Sequence, residues 1–335
     1  TPKPSSAASD VYKRQDKKVS VVVTCYNHEK YIEECLRSIF GQTHQEIELL
    51  IFNDGSTDAS GEVISEVLQD SPFTETHYFS EKNRGLAYVR NDALSKMTGD
   101  FLLFVDSDNF LNDDHIEKLL TELSVTNSDI AYCQLWDFNA QRDVLRPDLE
   151  YSFEKEIVGN LIDASSLVRT SKIVDAKFDE SLNNQTLEDY DFWLNLIINN
   201  EAKPVYVSTT KLNYRVLNES LSKRGNWENY YKSYFYIINK YIQKIPAELI
   251  EALQKNLLLW VDNYQNLVID SEQKLADKEQ ELINHNTQEE IMRKIIADKD
   301  THIANQEKVI SDITSSLAYR ILNKLLHPLG KKHEQ

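Results

Sequence analysis

The sequence predicts an α/β fold: a mainly parallel sheet flanked by helices, followed by a helical C-terminal extension. Three observations predict it. Apolar, strand-like runs alternate with stretches of helical spacing from Val19 to Leu135. Polar clusters follow three of those runs, at Thr24 to His28, Asn53 to Asp58 and Asp106 to Asn109. No Gly or Pro occurs from Ala247 to His327, where charged and amide residues dominate. Alternating strands and helices mean βαβ units and a parallel sheet. In such sheets ligands gather at the carboxyl ends of the strands.

The elements follow in chain order. Val19 to Val23 is Val-rich and reads as a strand buried on both faces. Tyr31, Cys35, Leu36 and Ile39 have helical spacing. Ile47 to Phe52 is a second strand, ending at the turn Asn53-Asp54-Gly55-Ser56. Val63, Ile64 and Val67 give another helical stripe, and His77 to Phe79 a short strand. Leu86, Val89, Arg90 and Leu94 lie on a helix. Phe101 to Val105 is a strong strand running into Asp106-Ser107-Asp108-Asn109. Ile116, Leu119, Leu120 and Leu123 form the next helix, and Ile130 to Leu135 a strand. From Tyr151 to Tyr241 the pattern is less regular, with a helix from Asp189 to Ile198 and a strand from Val205 to Val207.

Composition bounds the rest. The chain has 335 residues, 41% hydrophobic, with formal net charge -17. That length fits one large or two modest domains. An acidic chain, pI about 4.9, argues against nucleic acid as a partner. Cys25, Cys35 and Cys133 are few and scattered, which suits reduced thiols in the cytoplasm. No apolar run reaches the roughly 18 residues of a membrane span. Thr1 to Gln15 has no apolar signal core and no initial Met. Residues 1–17 are read as disordered or artefactual, 18–245 as the catalytic unit, 246–312 as a long helix and 313–335 as a basic amphipathic tip.

Asp106 and Asp108 flank one residue directly after a strand. Two carboxylates so placed suit Mn2+ or Mg2+, hard cations that take one or two carboxylates plus substrate phosphates. Such an ion neutralises charge building on a departing diphosphate. Asp-Ser-Asp-Asn is also good turn chemistry; the strand before it and the clusters at the other strand ends favour the metal. Asp54 is either a turn residue or a carboxylate for a base or ribose. Arg84 and Arg90 are either surface cations or guanidinium forks for a phosphate. Thr186-Leu187-Glu188-Asp189-Tyr190-Asp191 precedes a strong helix. With Thr186 as cap and Asp189 at the third helical position, a capping box explains the acids. The other reading makes one carboxylate a general base on an acceptor hydroxyl.

Taken in order, five motifs carry a resemblance. They are Val19-Ser-Val-Val-Val-Thr-Cys-Tyr-Asn27, Asn53-Asp-Gly-Ser-Thr-Asp58, Asn83-Arg-Gly85 with Arg90-Asn91, Gly99-Asp-Phe-Leu-Leu-Phe-Val-Asp-Ser-Asp108, and Glu188-Asp189. Each is weak alone; the ordered set, over Lys18 to Arg224, resembles glycosyltransferase family 2. The resemblance implies a GT-A type, Rossmann-like fold. It implies transfer of a sugar from a nucleotide-sugar donor, a UDP-sugar, to an acceptor hydroxyl with inversion. The acceptor would be a glycan or glycolipid of the bacterial surface. Thr24, Tyr26, Asn27, Asp54, Asn83, Arg90, Asp106 and Ser107 are the implied donor contacts. Tyr26 and Asp54 would meet the base and ribose, and Arg90 the nucleotide or phosphate region. Asp106 and Asp108 would bind Mn2+ or Mg2+, and Asp189 would be the catalytic base. One base means one displacement, which inverts the anomeric centre.

Two positions depart from the family pattern. Thr24-Cys25 stands where relatives commonly have Pro-Thr. Tyr214-Arg-Val-Leu217 carries Leu217 where relatives often have a His for metal or diphosphate, leaving Arg215, Lys223 and Arg224 as candidate cations. A nicotinamide enzyme is excluded, because Thr24 to His28 contains no glycine for a G-x-G-x-x-G turn. A nucleotidyltransferase would show a Gly-rich basic loop after the first strand. A sugar-nucleotide-binding scaffold that lost activity is the non-enzyme alternative; Asp106, Asp108 and Asp189 stand against it.

Beyond the resemblance, Val261, Val268, Leu275, Leu282, Ile296, Ile303, Ile310 and Leu317 share one heptad phase, broken by Glu289. Lys278, His285, Lys299 and Gln306 sit on the companion seam, so the coiled-coil signal is weak. A coiled-coil partner is one expectation and a solvated helix the other. Leu317, Ile321, Leu322 and Leu325 lie beside Arg320 and Lys324. That arrangement is expected to make weak contact with the inner face of the membrane.

Overall fold

The computed structural model describes residues 17–145, 148–183, 185–217, 227–315 and 320–321. Its centre is an eight-stranded sheet. The strands are β1 (Val19–Cys25), β2 (Ile47–Asn53), β3 (Glu75–Ser80), β4 (Phe101–Asp106), β5 (Ile130–Asp137), β6 (Arg142–Asp143), β7 (Leu167–Arg169) and β8 (Pro204–Tyr214). They run β3-β2-β1-β4-β7-β5-β6, and β8 pairs with β5. β1 is parallel to both β2 and β4, β2 to β3, and β5 to β8. β7 is antiparallel to both of its neighbours, and β6 to β5. The sheet is therefore mixed and mainly parallel, as expected.

The helices are α1 (Ile32–Phe40), α2 (Ser60–Val67), α3 (Leu86–Lys96), α4 (His115–Thr126), α5 (Phe153–Ile157), α6 (Glu188–Asn199), α7 (Trp227–Tyr241) and α8 (Ala247–Ser315). Alternation along each strand divides the core between two faces. Val21, Val23, Leu49, Ile51, Leu103 and Val105 pack with Leu36 and Ile39 of α1, Ile64 of α2 and Leu119 of α4. Val22, Leu50, Leu102 and Phe104 pack with Ala87 and Ala93 of α3 and Phe192, Trp193 and Leu196 of α6. The two helical layers fix α3 and α6 on one side of the strand ends and α1 on the other.

Two expectations change and one strand is added. The Val205 to Val207 strand extends to Tyr214, with an irregular register opposite Cys133. β7 is a three-residue antiparallel insertion, too short to show a period. Thr186 does not cap α6: the N-cap is Leu187 at φ 74, without a side-chain cap bond, and Thr186 Oγ1 is buried without a hydrogen-bond partner. Asp189 is accordingly the second helical residue, and the capping box is absent.

The chain divides into two compact units, Thr1–Asn256 and Leu257–Gln335. In the second, α8 leaves Leu275, Leu282, Ile296, Ile303 and Ile310 more than half exposed. Of the tip, only residues 313–315, 320 and 321 are described; the rest of the expected membrane-contact segment lies outside the described residues. Among the described residues no helix is long and apolar enough to cross a membrane.

Candidate active site

The parallel register brings the loops after β1, β2, β3 and β4 to one edge. Thr24 stands opposite Asp106 across the β1–β4 ladder, and its hydroxyl donates to Asp106 Oδ1 at 3.2 Å. Asn27 takes the left-handed conformation, φ 56. Its side-chain oxygen accepts the Thr57 N–H at 2.7 Å, while its own N–H donates to Ser56 Oγ at 3.0 Å. The first two loops are thus joined by side chain to backbone. Ser107 is fully buried and pairs with His28 Nδ1 at 2.8 Å. Burial holds that imidazole below its ordinary pKa.

Asp54 is buried, and each oxygen accepts a backbone N–H: Arg84 at 2.8 Å and Gly85 at 2.8 Å. The second loop therefore holds the third. Gly55, φ +72, makes this approach feasible; a Cβ there would lie 2.5 Å from Asn83 N. Tyr26, in the loop after β1, is 47% exposed and leaves its aromatic face open to solvent.

Arg90 departs from its expected place. Its guanidinium is 1% exposed and meets Glu188 at 2.9 Å and Asp106 at 3.3 Å. The rings of Phe104 and Phe178 lie 5.5 and 5.4 Å from it. Two carboxylates and two aromatic faces occupy the group, so it orders acids rather than facing an open cleft. Arg215 is likewise engaged. Its Nε donates to the Asp108 carbonyl at 3.0 Å, it pairs with Glu34, and Tyr31 and Phe138 flank it. Arg215 thus braces the Asp106–Asp108 loop. Lys223 and Arg224 lie outside the described residues.

The acids of this site are crowded and hold their protons more tightly than free carboxyls. Asp108 is pushed up to about 7, by burial first and Asp106 next. Asp163 is also raised to about 7, by burial and then Asp189. Burial raises Glu188 to about 7 against the pull of Arg90, and raises Asp189 for the same reason. Asp189 accepts from Asn160 Nδ2 at 3.0 Å and from the Tyr190 N–H at 2.8 Å. Among the described residues no group of three His, Cys, Asp or Glu forms a metal cage. A two-carboxylate site fits a hard cation whose shell is completed by water and phosphate. Thr24 and Arg90 both engage Oδ1 of Asp106 rather than Oδ2.

Residues 20–192 match the family model described as Glycosyl transferase family 2. The chain belongs to that family. It is 40% identical over 128 residues to glycosyltransferase GlyA of Streptococcus pneumoniae, covering 37% of this chain and 18% of that protein. It therefore spans less than a fifth of that relative's length. It is 27% identical over 241 residues to a Haemophilus influenzae protein described as an uncharacterised glycosyltransferase, covering 70% of this chain and 92% of that protein. The structure of S. aureus TarS 1-349 in complex with UDP-GlcNAc superposes with a TM-score of 0.61 at 24% identity, over 72% of this chain and 71% of that one. Mannosyltransferase PcManGT from Pyrobaculum calidifontis, in complex with GDP-Man and Mn2+, gives 0.55 at 17% identity, over 72% and 68%. The fold is the GT-A fold of these neighbours.

Sequence reasoning missed Asn160 and Asp163. Both lie in the irregular stretch before β7, where no spacing marked them. Glu188 was inside a motif but had no separate role; its pairing with Arg90 required the fold.

Proposed function

We propose that this family 2 glycosyltransferase is metal-dependent and inverting, and uses a UDP-sugar to extend a glycan or glycolipid. One observation carries the reading. Arg90 joins Asp106, at the end of β4, to Glu188, at the start of α6, and Asp189 is the next residue. One buried cation thus ties the strand end that carries the metal-type acids to the helix start that carries the base-type acid. Asp106 and Asp108 would hold Mn2+ or Mg2+. When bound, the ion neutralises charge on the leaving diphosphate. Tyr26 offers a ring to the base, and Asp54, Asn27 and Asn83 shape the loops around the nucleotide. Asp189 takes the proton of the acceptor hydroxyl as that oxygen attacks the anomeric carbon. Its raised affinity for a proton suits a base. The UDP-GlcNAc held by the TarS neighbour supports a uridine donor, and the manganese of the mannosyltransferase neighbour supports the cation.

The test is a panel of UDP-glucose, UDP-galactose, UDP-N-acetylglucosamine and GDP-mannose with Mn2+. Nucleoside diphosphate release is followed, and the product's anomeric configuration is read by NMR. Turnover of a UDP-sugar with inversion is expected. Turnover of none, or full activity in excess chelator, would overturn the reading.

A further inference from the structure

We propose that Asn160 is the positioning residue of this reaction, holding the Asp189 carboxylate in the one orientation from which it can take the acceptor's proton. The inference rests on Asp189 as base and concerns what aims it. Asn160 Nδ2 donates to Asp189 Oδ2 at 3.0 Å, and Oδ1 of Asp189 is taken by the Tyr190 N–H at 2.8 Å. Two donors on two oxygens fix both the position and the rotation of a carboxylate. The second donor is backbone of the same helix, so Asn160 is the side chain from outside that helix that completes the aim.

The segment carrying Asn160 is held firmly enough for that purpose. The Ile157 carbonyl accepts from Tyr190 Oη at 3.1 Å and Tyr234 Oη at 2.6 Å, from α6 and α7. The Val158 carbonyl accepts from Asn256 Nδ2 at 2.6 Å, and the Leu161 N–H donates to Glu156. Helices α6, α7 and α8 thus pin the two residues that precede Gly159 and Asn160. Asn160 Oδ1 is buried with no hydrogen-bond partner. A buried, unsatisfied carbonyl is costly and is normally avoided. The amide is held with its N–H on the carboxylate despite that cost, which is what a residue retained for its donor would show.

The test compares Asn160→Ala, Asn160→Asp and Asp189→Asn with the parent, using the UDP-sugar the parent turns over fastest. Asn160→Ala should lower kcat by about 10²-fold, the effect of misplacing a reacting group, with donor KM and the UDP-induced thermal shift unchanged. Losing a donor to the charged form should also move the acid limb of the kcat profile to higher pH. Arg90 on α3, Asp106 on β4, Asp163 before β7, Glu188 on α6 and Tyr230 on α7 also act on Asp189, and all remain in the variant. Asn160→Asp keeps the shape, replaces the donor by a carboxyl, and should move the limb further; it is read alone if the alanine variant does not fold. An unchanged kcat, or a lower kcat with the acid limb unmoved, would overturn the proposal. Full turnover by Asp189→Asn would remove the base itself, a failure distinct from one confined to Asn160.

Discussion

Arg90 Nη1 lies 2.9 Å from Glu188 Oε1, and the guanidinium making that contact is 1% exposed. Glu188, 14% exposed, has little water to replace this partner. Arg90→Met should leave its carboxyl to protonate in place and lose a charge-assisted hydrogen bond, costing about 1.5–3 kcal/mol. Asp106, 36% exposed, should relax into solvent. Urea melts of Arg90→Met, Glu188→Gln and the double variant measure the coupling. The double variant should be more stable than Arg90→Met alone. Equal stability of the two would mean that Arg90 is not held through Glu188.

The metal should bind in competition with protons. The Asp108 carboxyl is raised to about 7, so below that pH it is protonated in the ion-free chain. A cation must then displace a proton. The apparent Mn2+ affinity in the presence of UDP should rise about tenfold per pH unit from 5 to 7 and level off above. Titration calorimetry at pH 5.5, 6.5 and 7.5 measures it. Asp108→Asn should abolish the dependence along with most of the binding. A flat profile in the parent would place the ion elsewhere.

Most of the sheet was legible because its central strands are buried on both faces. Val19 to Val23 and Phe101 to Val105 are apolar runs that no helix period explains, and both are fully buried strands. Asp106 and Asp108 stood out in the sequence because both follow the Phe101 to Val105 run within three residues. The failures have a common cause. β7 is three residues long and antiparallel to β4, and Asn160 and Asp163 lie in the irregular stretch just before it. Arg90 was read from its place on a helix, but its partners are Asp106, 16 residues away, and Glu188, 98 residues away. No local pattern records such contacts. Thr186 was read as a cap because Thr favours that place; the left-handed Leu187 after it turns the hydroxyl away from the helix.

His115 should make the fold sensitive to acid. It is fully buried at the start of α4, with Nδ1 paired to Thr210 Oγ1 at 2.9 Å, and burial lowers its pKa to about 4. The unfolded chain binds a proton near pH 6.5, whereas the folded chain does not until near 4. Stability from this group is complete above pH 6.5 and is lost as pH falls towards 4, on the order of 2–3 kcal/mol. The raised acids Asp108, Asp163 and Glu188 act in the opposite sense, gaining stability below pH 7. The comparison must therefore be with His115→Gln, which keeps those acids. The parent's advantage over the variant should shrink between pH 7.5 and 4.5 in thermal melts. A constant gap would contradict the assignment.

Asp189 and Asp191 lie two residues apart on α6 and should answer the same substitution differently. Asp191 is fully buried, and Lys240 Nζ meets its oxygens at 2.8 and 3.0 Å. Tyr241 Oη donates to it at 3.1 Å. Its contacts all run to α7, which makes it a bracket between two helices. Asp191→Asn weakens a charge-assisted contact to a Lys that keeps some access to water, so the fold should lose about 1–3 kcal/mol. Turnover of the molecules that remain folded should be nearly unchanged. Asp189 has no such bracket; its neighbours are Asn160, Arg90 and the other acids of the cleft. Asp189→Asn removes a buried negative charge from an acidic cluster, so melting should stay level or rise. Turnover should fall by about 10²-fold or more, the usual contribution of a general base. Melting temperature and kcat, measured on both variants, separate the roles. Loss of turnover in folded Asp191→Asn with activity kept in Asp189→Asn would move the base to the opposite face of α6 and take the role of Asn160 with it.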